Sequence, residues 1–409
     1  MITCPQLESA LRVRLSGAKR VLAISLVLVA AVPAVAQQSR VYRDGRSWVE
    51  ESNGTLPQSR TLRVSSHLGN IRVQGGKQII KWVVIKRAFA TTEQQARRQF
   101  ERMRVGAGRK VDGGFLRADF VGAHPTRFAA DIYVEVPRDM ESVYLDSKAG
   151  NLVVVGTTAR VDVATQAGSI SVDDVAGSVR AHTAGGDIQI GNVGGRVGVK
   201  SGGGNVAINS TKARSDVFTS GGNISIGSTA GASVRTEAGS IEVQHCAGDL
   251  LAKTAGGTLE LGDVLGNAVL DNGGGNIRLG GARGRVMATT VGGNIQLFKL
   301  SQGAQAQTGA GTITVELIGS RGGFAESFLR TNAGDVLVYL NAAVPLTVHA
   351  ASEMASGRGI RTDFPELKIT TEGGEFGPKT MYADGILNGG GPVLKVRTTI
   401  GQIEFRRTK

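Results

Sequence analysis

A glycine recurs at nearly constant spacing through the middle of this chain, and the residues that follow it repeat with it. The motif is glycine, a small or polar residue, an apolar residue, any residue, and a second apolar residue. It reads Gly150-Asn151-Leu152-Val153-Val154, Gly168-Ser169-Ile170-Ser171-Val172, Gly186-Asp187-Ile188-Gln189-Ile190 and Gly204-Asn205-Val206-Ala207-Ile208. It continues from Gly222, Gly239, Gly257, Gly275, Gly293 and Gly311, and every step is 18 residues except one of 17, from Gly222 to Gly239. A fixed period in this range marks a repeat array, in which each unit buries its apolar face only against its neighbours.

Each repeat divides into two halves of nine. Ile188 and Ile190 are echoed by Val197 and Val199, then by Val206 and Ile208. Alternation of apolar and other residues is the period-two signature of a strand with one buried face. A meander has no need of identical register every 18 residues, whereas a solenoid requires it. The expected fold is therefore all-β, a parallel β-solenoid with rungs of about 18 residues, two short strands per rung, and one N-terminal helix in a capping region. Rungs ~4.8 Å apart would make the ten regular ones a rod of roughly 45 Å. Gly with Asn, Ser, Asp or Thr between the strands is expected to supply turns with positive φ. Three residues before each repeat glycine runs a second ladder: Ser147, Thr165, Thr183, Ser201, Thr219, Thr236, Thr254, Asn272, Thr290 and Thr308. Stacked hydroxyls of this kind can bond from rung to rung, or serve as ordinary turn residues. The 59 glycines and 5% aromatic content suit a thin, closely stacked core.

The first 36 residues read as an export signal: Arg12, Arg14, Lys19 and Arg20, then the apolar run Val21 to Val32, then Ala34-Val35-Ala36 as a cleavage site. An uncleaved anchor is the alternative, and no other stretch reads as a transmembrane segment. Cys4 leaves with the signal, so Cys246 stands alone, with neither an intrachain disulfide nor a cysteine-based metal site open to it. Its neighbour His245 raises the question of a thiol–imidazole pair, against the plainer reading of a small residue at a rung edge. The net charge is +13. The signal carries four basic residues and one acid, leaving 43 basic against 33 acidic in the mature chain. That balance favours polyanionic surroundings, an acidic polysaccharide or lipopolysaccharide or the phosphates of a membrane. No nucleic-acid recognition motif is present.

Along the chain, 37–60 reads as a flexible lead-in, 61–141 as a strand–helix–strand cap, 142–319 as the regular repeats, and 320–409 as irregular repeats and a second cap. The helix is placed at Thr91 to Arg104, with Thr91 or Thr92 capping it and Ala96, Phe100 and Met103 packing inward. Its arginines, Arg97, Arg98, Arg102 and Arg104, read as a solvated face.

These residues carry a family resemblance. A strand–helix–strand opening leads to Val134-Glu135-Val136-Pro137. Tandem Thr-x-Ala/Gly-Gly-polar-Ile-x-Val units follow, then Gly389-Gly390-Gly391-Pro392 and a last Thr398-Thr399-Ile400-Gly401-Gln402-Ile403-Glu404-Phe405. Over roughly residues 60–409 the chain resembles the bacterial putative-adhesin family, whose members carry a domain of unknown function, number 4097. The resemblance implies a β-solenoid and brings no catalytic residues with it.

Calcium-binding β-rolls need an Asp in every turn, whereas Asp173, Asp174, Asp187, Asp263 and Asp271 do not recur at the period. Hexapeptide helices divide 18 into three sixes, and this chain divides into nines. Asp173 and Asp174, as adjacent strand residues, should face opposite ways and so not flank one glycosidic bond. His67, His124, His182, His245 and His349 show no ligand spacing, and no cofactor fingerprint is found. One column flanking the hydroxyl ladder is basic in places: Lys148, Ala164, His182, Lys200, Phe218, Arg235, Lys253, Asp271. Lys200, Arg235 and Lys253 are the candidate polyanion-binding residues, although solubility of an exposed sheet is the plainer account of such charges. The expected function is that of an exported, non-enzymatic adhesin or cell-envelope scaffold binding a polyanionic glycan or another envelope component, in the periplasm, at the outer membrane or at the cell surface. The alternatives are a periplasmic protein-binding regulatory or assembly domain and a carbohydrate-active β-helix enzyme.

Overall fold

The computed structural model describes residues 38–122, 128–319, 324–355, 359–373 and 377–408. The expected export signal lies outside them. The described residues form two long sheets of 18 strands each, and successive strands of the regular region alternate between them. The first sheet takes the strand after each repeat glycine, such as Ile170–Val175, Ile188–Val193 and Val206–Thr211. The second takes the strand that ends on the hydroxyl ladder, such as Val179–Thr183, Val197–Ser201 and Arg214–Thr219. The pairings within the regular repeats are parallel and, apart from one shift between Leu297 and Leu300, in register, so Ile170, Ile188, Val206, Ile224 and Ile241 lie in one line. The fold is the expected β-solenoid.

The inward residues of both sheets make one continuous core. Each buried Ile, Val or Leu contributes on the order of 1.5–3 kcal/mol. Its register is enforced because a one-residue slip would turn the whole line outward. The repeat glycines have a reason other than turn conformation. A β-carbon on Gly186 would lie 2.0 Å from the carbonyl oxygen of Gly168, and one on Gly204 2.1 Å from that of Gly186. The same approach recurs from Gly222 to Gly293. Among the repeat glycines a positive φ is found at Gly150, Gly168 and Gly311. Stacking of corner on corner, not the left-handed region, demands glycine at the others.

The hydroxyl ladder combines the two roles the sequence allows, a bond from rung to rung and a bond within its own turn. Thr183 Oγ1 donates to Gly168 O (2.9 Å) in the coil before and accepts from Gly186 N (3.2 Å) in its own. Ser201, Thr219, Thr236 and Thr254 repeat this bridge. The link is hydroxyl to backbone, because the corner carbonyls and amides would otherwise be orphaned in a buried site. Outside it runs a side-chain ladder. Asn205 N donates to Asp187 Oδ1, Asn223 N to Asn205 Oδ1, and Ser240 N to Asn223 Oδ1.

Chain order and stacking order part company at both ends. Strands Thr61–Ser66 and Ile71–Lys77 lie between the later coil Gly113–Phe120/Phe128–Pro137 and the coil Ser142–Ala149/Leu152–Thr157. The last motif, Val393–Ile400 and Ile403–Arg407, lies between the Ser327–Ala333/Val336–Leu340 coil and the earlier Leu346–Ser352/Ile360–Thr362 coil. Residues 38–56, expected to be a flexible lead-in, form two strands instead. Ser47–Leu56 is hydrogen-bonded antiparallel to Ile80–Ala88, and its Val49, Ser52 and Leu56 are buried. The helix is Glu93–Glu101, capped by Thr92, whose hydroxyl accepts from Gln95 N at 3.3 Å. It is shorter than the periodicity suggests because Met103 already opens the strand Met103–Lys110.

Candidate functional site

Seen from outside, the second sheet is a grid. Strand pairing sets Ser65, Asp146, Ala164, His182, Lys200, Phe218, Arg235, Lys253 and Asp271 in one row along the stack. The head of the row is Asp146, not Lys148, which falls two residues further along the same strand. A second row, on the same outer face, holds Arg63, Tyr144, Asp162, Arg180, Gly198 and Asp216.

Small residues in these rows leave a depression of about 670 Å³ whose floor includes Ala164 and Gly198. Tyr144 walls one end, with the Arg63 guanidinium 4.8 Å from its ring centroid. Arg180, His182 and Lys200 line the depression along the row. A second cavity of about 410 Å³ shares Arg63, Ser65, Tyr144 and Asp146 with the first and extends to Lys110, Arg117 and Lys148. Here His67 Nδ1 accepts from Phe120 N at 3.1 Å, so its Nε2 carries the proton and faces Asp119 at 4.0 Å.

The three predicted polyanion contacts fare differently. Lys200 lines the depression. Lys253 is tied to Asp271, one coil on, at 3.2 Å. Arg235 lies two strands beyond Lys200 with Phe218 between them. Among the described residues Lys200, Arg235, Arg63 and Arg180 have no carboxylate partner, while Asp162 and Asp216 are held by Arg160 (3.0 Å) and Arg214 (3.1 Å). Counting those partners, the depression carries more positive than negative charge, a field that draws anions. Tyr144, Arg180 and Gly198 were missed in the sequence, although the 18-residue period aligns them once the second row is written out; Ala164 appeared only as a gap in the basic column. Arg63 could not be found that way, because its coil stacks out of chain order.

Gly198 differs from the repeat glycines. It sits within the strand Val197–Ser201, and a β-carbon there would meet nothing nearer than Arg180 Cγ at 3.9 Å. Mid-strand glycine weakens a sheet and often marks close approach by a ligand or another backbone.

Other candidates resolve into structure. Cys246 is buried, its thiol donates to Gly248 O at 3.3 Å, and burial pushes the thiol pKa up. It lines up with Thr229 and Val264 inside the coil while His245 lies in the outward line with Ser228 and Asp263, so no thiol–imidazole pair forms. Asp173 and Asp174 do not face opposite ways. Asp174 adopts φ 50° at the corner and both are exposed. Each is engaged: Asp173 Oδ1 accepts from Asn192 N (2.9 Å), and Asp174 pairs with Arg138 (2.7 Å). Among the described residues no three His, Cys, Asp or Glu converge as a metal site would require, and no helix is long and apolar enough to cross a membrane.

Residues 55–250 match the Toastrack DUF4097 family model. This is the family that the repeat motifs resemble. The Toastrack segment takes in the out-of-order N-terminal coil and both cavities; the later coils continue the same pairing beyond it. No curated protein matches the chain. Among solved structures, a "putative cell adhesion protein" from Clostridium sporogenes is 7% identical, covering 91% of this chain and 100% of its own, with a TM-score of 0.23. A "putative adhesin" from Parabacteroides distasonis is 13% identical over 68% of this chain and 96% of its own, with a TM-score of 0.29. A "putative lipid binding protein" from the same organism is 10% identical over 88% and 97%, with a TM-score of 0.21.

Proposed function

We propose that this chain is an exported, non-enzymatic binding rod, an adhesin or cell-envelope scaffold, that holds an acidic glycan against the outer face of its second sheet. The observation that carries the reading is the depression over Ala164 and Gly198, lined by Arg63, Arg180 and Lys200 without carboxylate partners. With Asp162 and Asp216 neutralised by Arg160 and Arg214, the groove keeps a positive excess, which raises the local concentration of an opposite polymer, and a repeating surface suits a repeating ligand. The test is an acidic-glycan array probed with the chain from Gln37 onward at low and at physiological salt. Binding that weakens with salt is expected, and Lys200→Glu should weaken it roughly tenfold, about 1.4 kcal/mol. Lys253→Glu should change it far less, since Lys253 lies outside the depression, three strands beyond Lys200. Equal losses from the two variants, or no binding at either salt, would refute the reading.

One observation favours a second reading, a protein-binding regulatory or assembly domain. The strand Lys368–Glu372 at the end of the second sheet is exposed at all five residues and pairs with Thr380–Leu387 on one side. An open edge of this kind accepts an added strand. Silence on the array together with recovery of one specific envelope protein, lost on Thr370→Pro, would favour it.

A further inference from the structure

Taking the glycan-binding reading as its basis, we infer that the ligand is a sparsely charged polymer, with a carboxylate on alternate sugars rather than on every one, lying along the stack across both cavities. Three features of the grid point this way.

The first is the spacing of the low points. Ser65 and Ala164, in the first row, and Gly198, in the second, are small residues lining the two cavities. In stacking order they fall on the first, third and fifth of five successive strands. Each is therefore two strand spacings, about 9.6 Å, from the next. A chain that runs along the axis and crosses from the first row to the second meets a dip at every second strand, a repeat on the scale of a disaccharide. The dips belong to adjoining cavities that share Arg63, Tyr144 and Asp146, so one ligand can occupy both.

The second is the alternation of charge. Arg63 and Arg180, two second-row cations without carboxylate partners among the described residues, lie three strands apart, about 14 Å. Asp146 and Asp162 fall between them. Asp162 is neutralised by Arg160, but Asp146 has no cationic partner among the described residues. A polymer charged on every unit must set a carboxylate against Asp146, and like charges in one site are costly. A polymer charged on alternate units can place carboxylates at the cations and a hydroxyl or amide N–H on Asp146.

The third is Gly198. Packing around it leaves room for a side chain, and the strand would be stronger with one. What a side chain there would do is fill the last dip.

The experiment measures affinity of the full chain for three oligosaccharides of equal length: one alternating glucuronate with an N-acetylated neutral sugar, an oligogalacturonate charged on every residue, and a neutral chito-oligosaccharide. The alternating oligomer should bind best, roughly tenfold more tightly than either of the others. Gly198→Val, which has space at its β-carbon, and Ala164→Tyr should each abolish that preference with no change in charge. Asp146→Asn should raise the affinity for oligogalacturonate towards that of the alternating chain. Oligogalacturonate binding as tightly as the alternating oligomer would overturn the sparse-charge inference and leave the acidic-glycan reading standing. So would Gly198→Val binding like the wild type while remaining folded by circular dichroism. Failure of all three oligomers to bind, or equal binding of the neutral one, would overturn both.

Discussion

Adjacent glycines at one corner should respond oppositely to the same substitution. A β-carbon on Gly204 would lie 2.1 Å from Gly186 O, 2.4 Å from Gly186 C and 2.7 Å from Asp187 N. Comfortable packing around a carbon needs about 3.5 Å, so the first contact is some 1.4 Å short. The obstruction is backbone on the neighbouring coil and cannot rotate away. Relief requires the two coils to part at that corner, where Gly204 N donates to Ser201 Oγ (3.0 Å), Asn205 N to Asp187 Oδ1 (2.8 Å) and Thr219 Oγ1 to Gly204 O (2.9 Å). Overpacking of this kind costs about 1–3 kcal/mol, and one or two loosened hydrogen bonds add about 1 kcal/mol each. Gly204→Ala should therefore destabilise the chain by about 2–5 kcal/mol. A β-carbon on Gly203 meets nothing within 4 Å, and the backbone there is not in the left-handed region. Gly203→Ala should be neutral or stabilising by about 0.4–1 kcal/mol, through loss of freedom in the unfolded chain. Urea unfolding of the two variants side by side is the assay, with hydrogen exchange locating the weakened coil. A Gly204→Ala protein as stable as the wild type, or a Gly203→Ala protein as damaged as its neighbour, would show that coil-on-coil contact is not why the glycine recurs.

Thr183→Val removes the donor to Gly168 O and the acceptor for Gly186 N at nearly constant volume; a loss of about 1–3 kcal/mol is expected in urea unfolding. Cys246 should resist a thiol reagent at mildly alkaline pH while the chain is folded and react at once in denaturant, because its buried thiol is slow to ionise; labelling of the native protein at the unfolded rate would contradict the burial. Glu353 lies beside Arg397 and accepts from Thr399 Oγ1 at 3.0 Å, which holds its carboxyl below the ordinary glutamate range. A depressed carboxylate stabilises the fold above its unfolded pKa, about 4.3, and loses that contribution as pH falls through the lower folded value. Glu353→Gln should accordingly flatten the Tm loss below that pH for the C-terminal coils, and an unchanged acid limb would count against the pairing.

The repeat made the stack legible because a solenoid copies one local instruction. Isoleucines at 170, 188, 206's valine and 224 announce their line by period alone. The ends were less legible, and the reason is physical. Ser66 and Ser147 are hydrogen-bonded neighbours across 81 residues of sequence, and Thr331 and Thr398 across 67; periodicity carries no information about which coil sits next to which when the chain doubles back. The lead-in at 47–56 reads as polar because an end strand leaves alternate residues to solvent, yet Val49 and Leu56 are buried. At the site, the basic column drew the eye and the small residues did not. Lys253 is silenced by a neighbour one period away, whereas Gly198 is informative only once packing shows that nothing there required it.

Parallel, in-register coils also make length a heritable variable with a fixed quantum. Duplicating eighteen codons would insert one further layer, add about 4.8 Å of reach, and leave every other contact as it was. The corner after Thr229 already closes with one residue fewer than its counterparts, and Arg214 still pairs with Gly231 across it. Changes of a residue or two can therefore be absorbed at corners, whereas changes within strands cannot. A lineage could thus tune the length of the stack in small, nearly neutral steps.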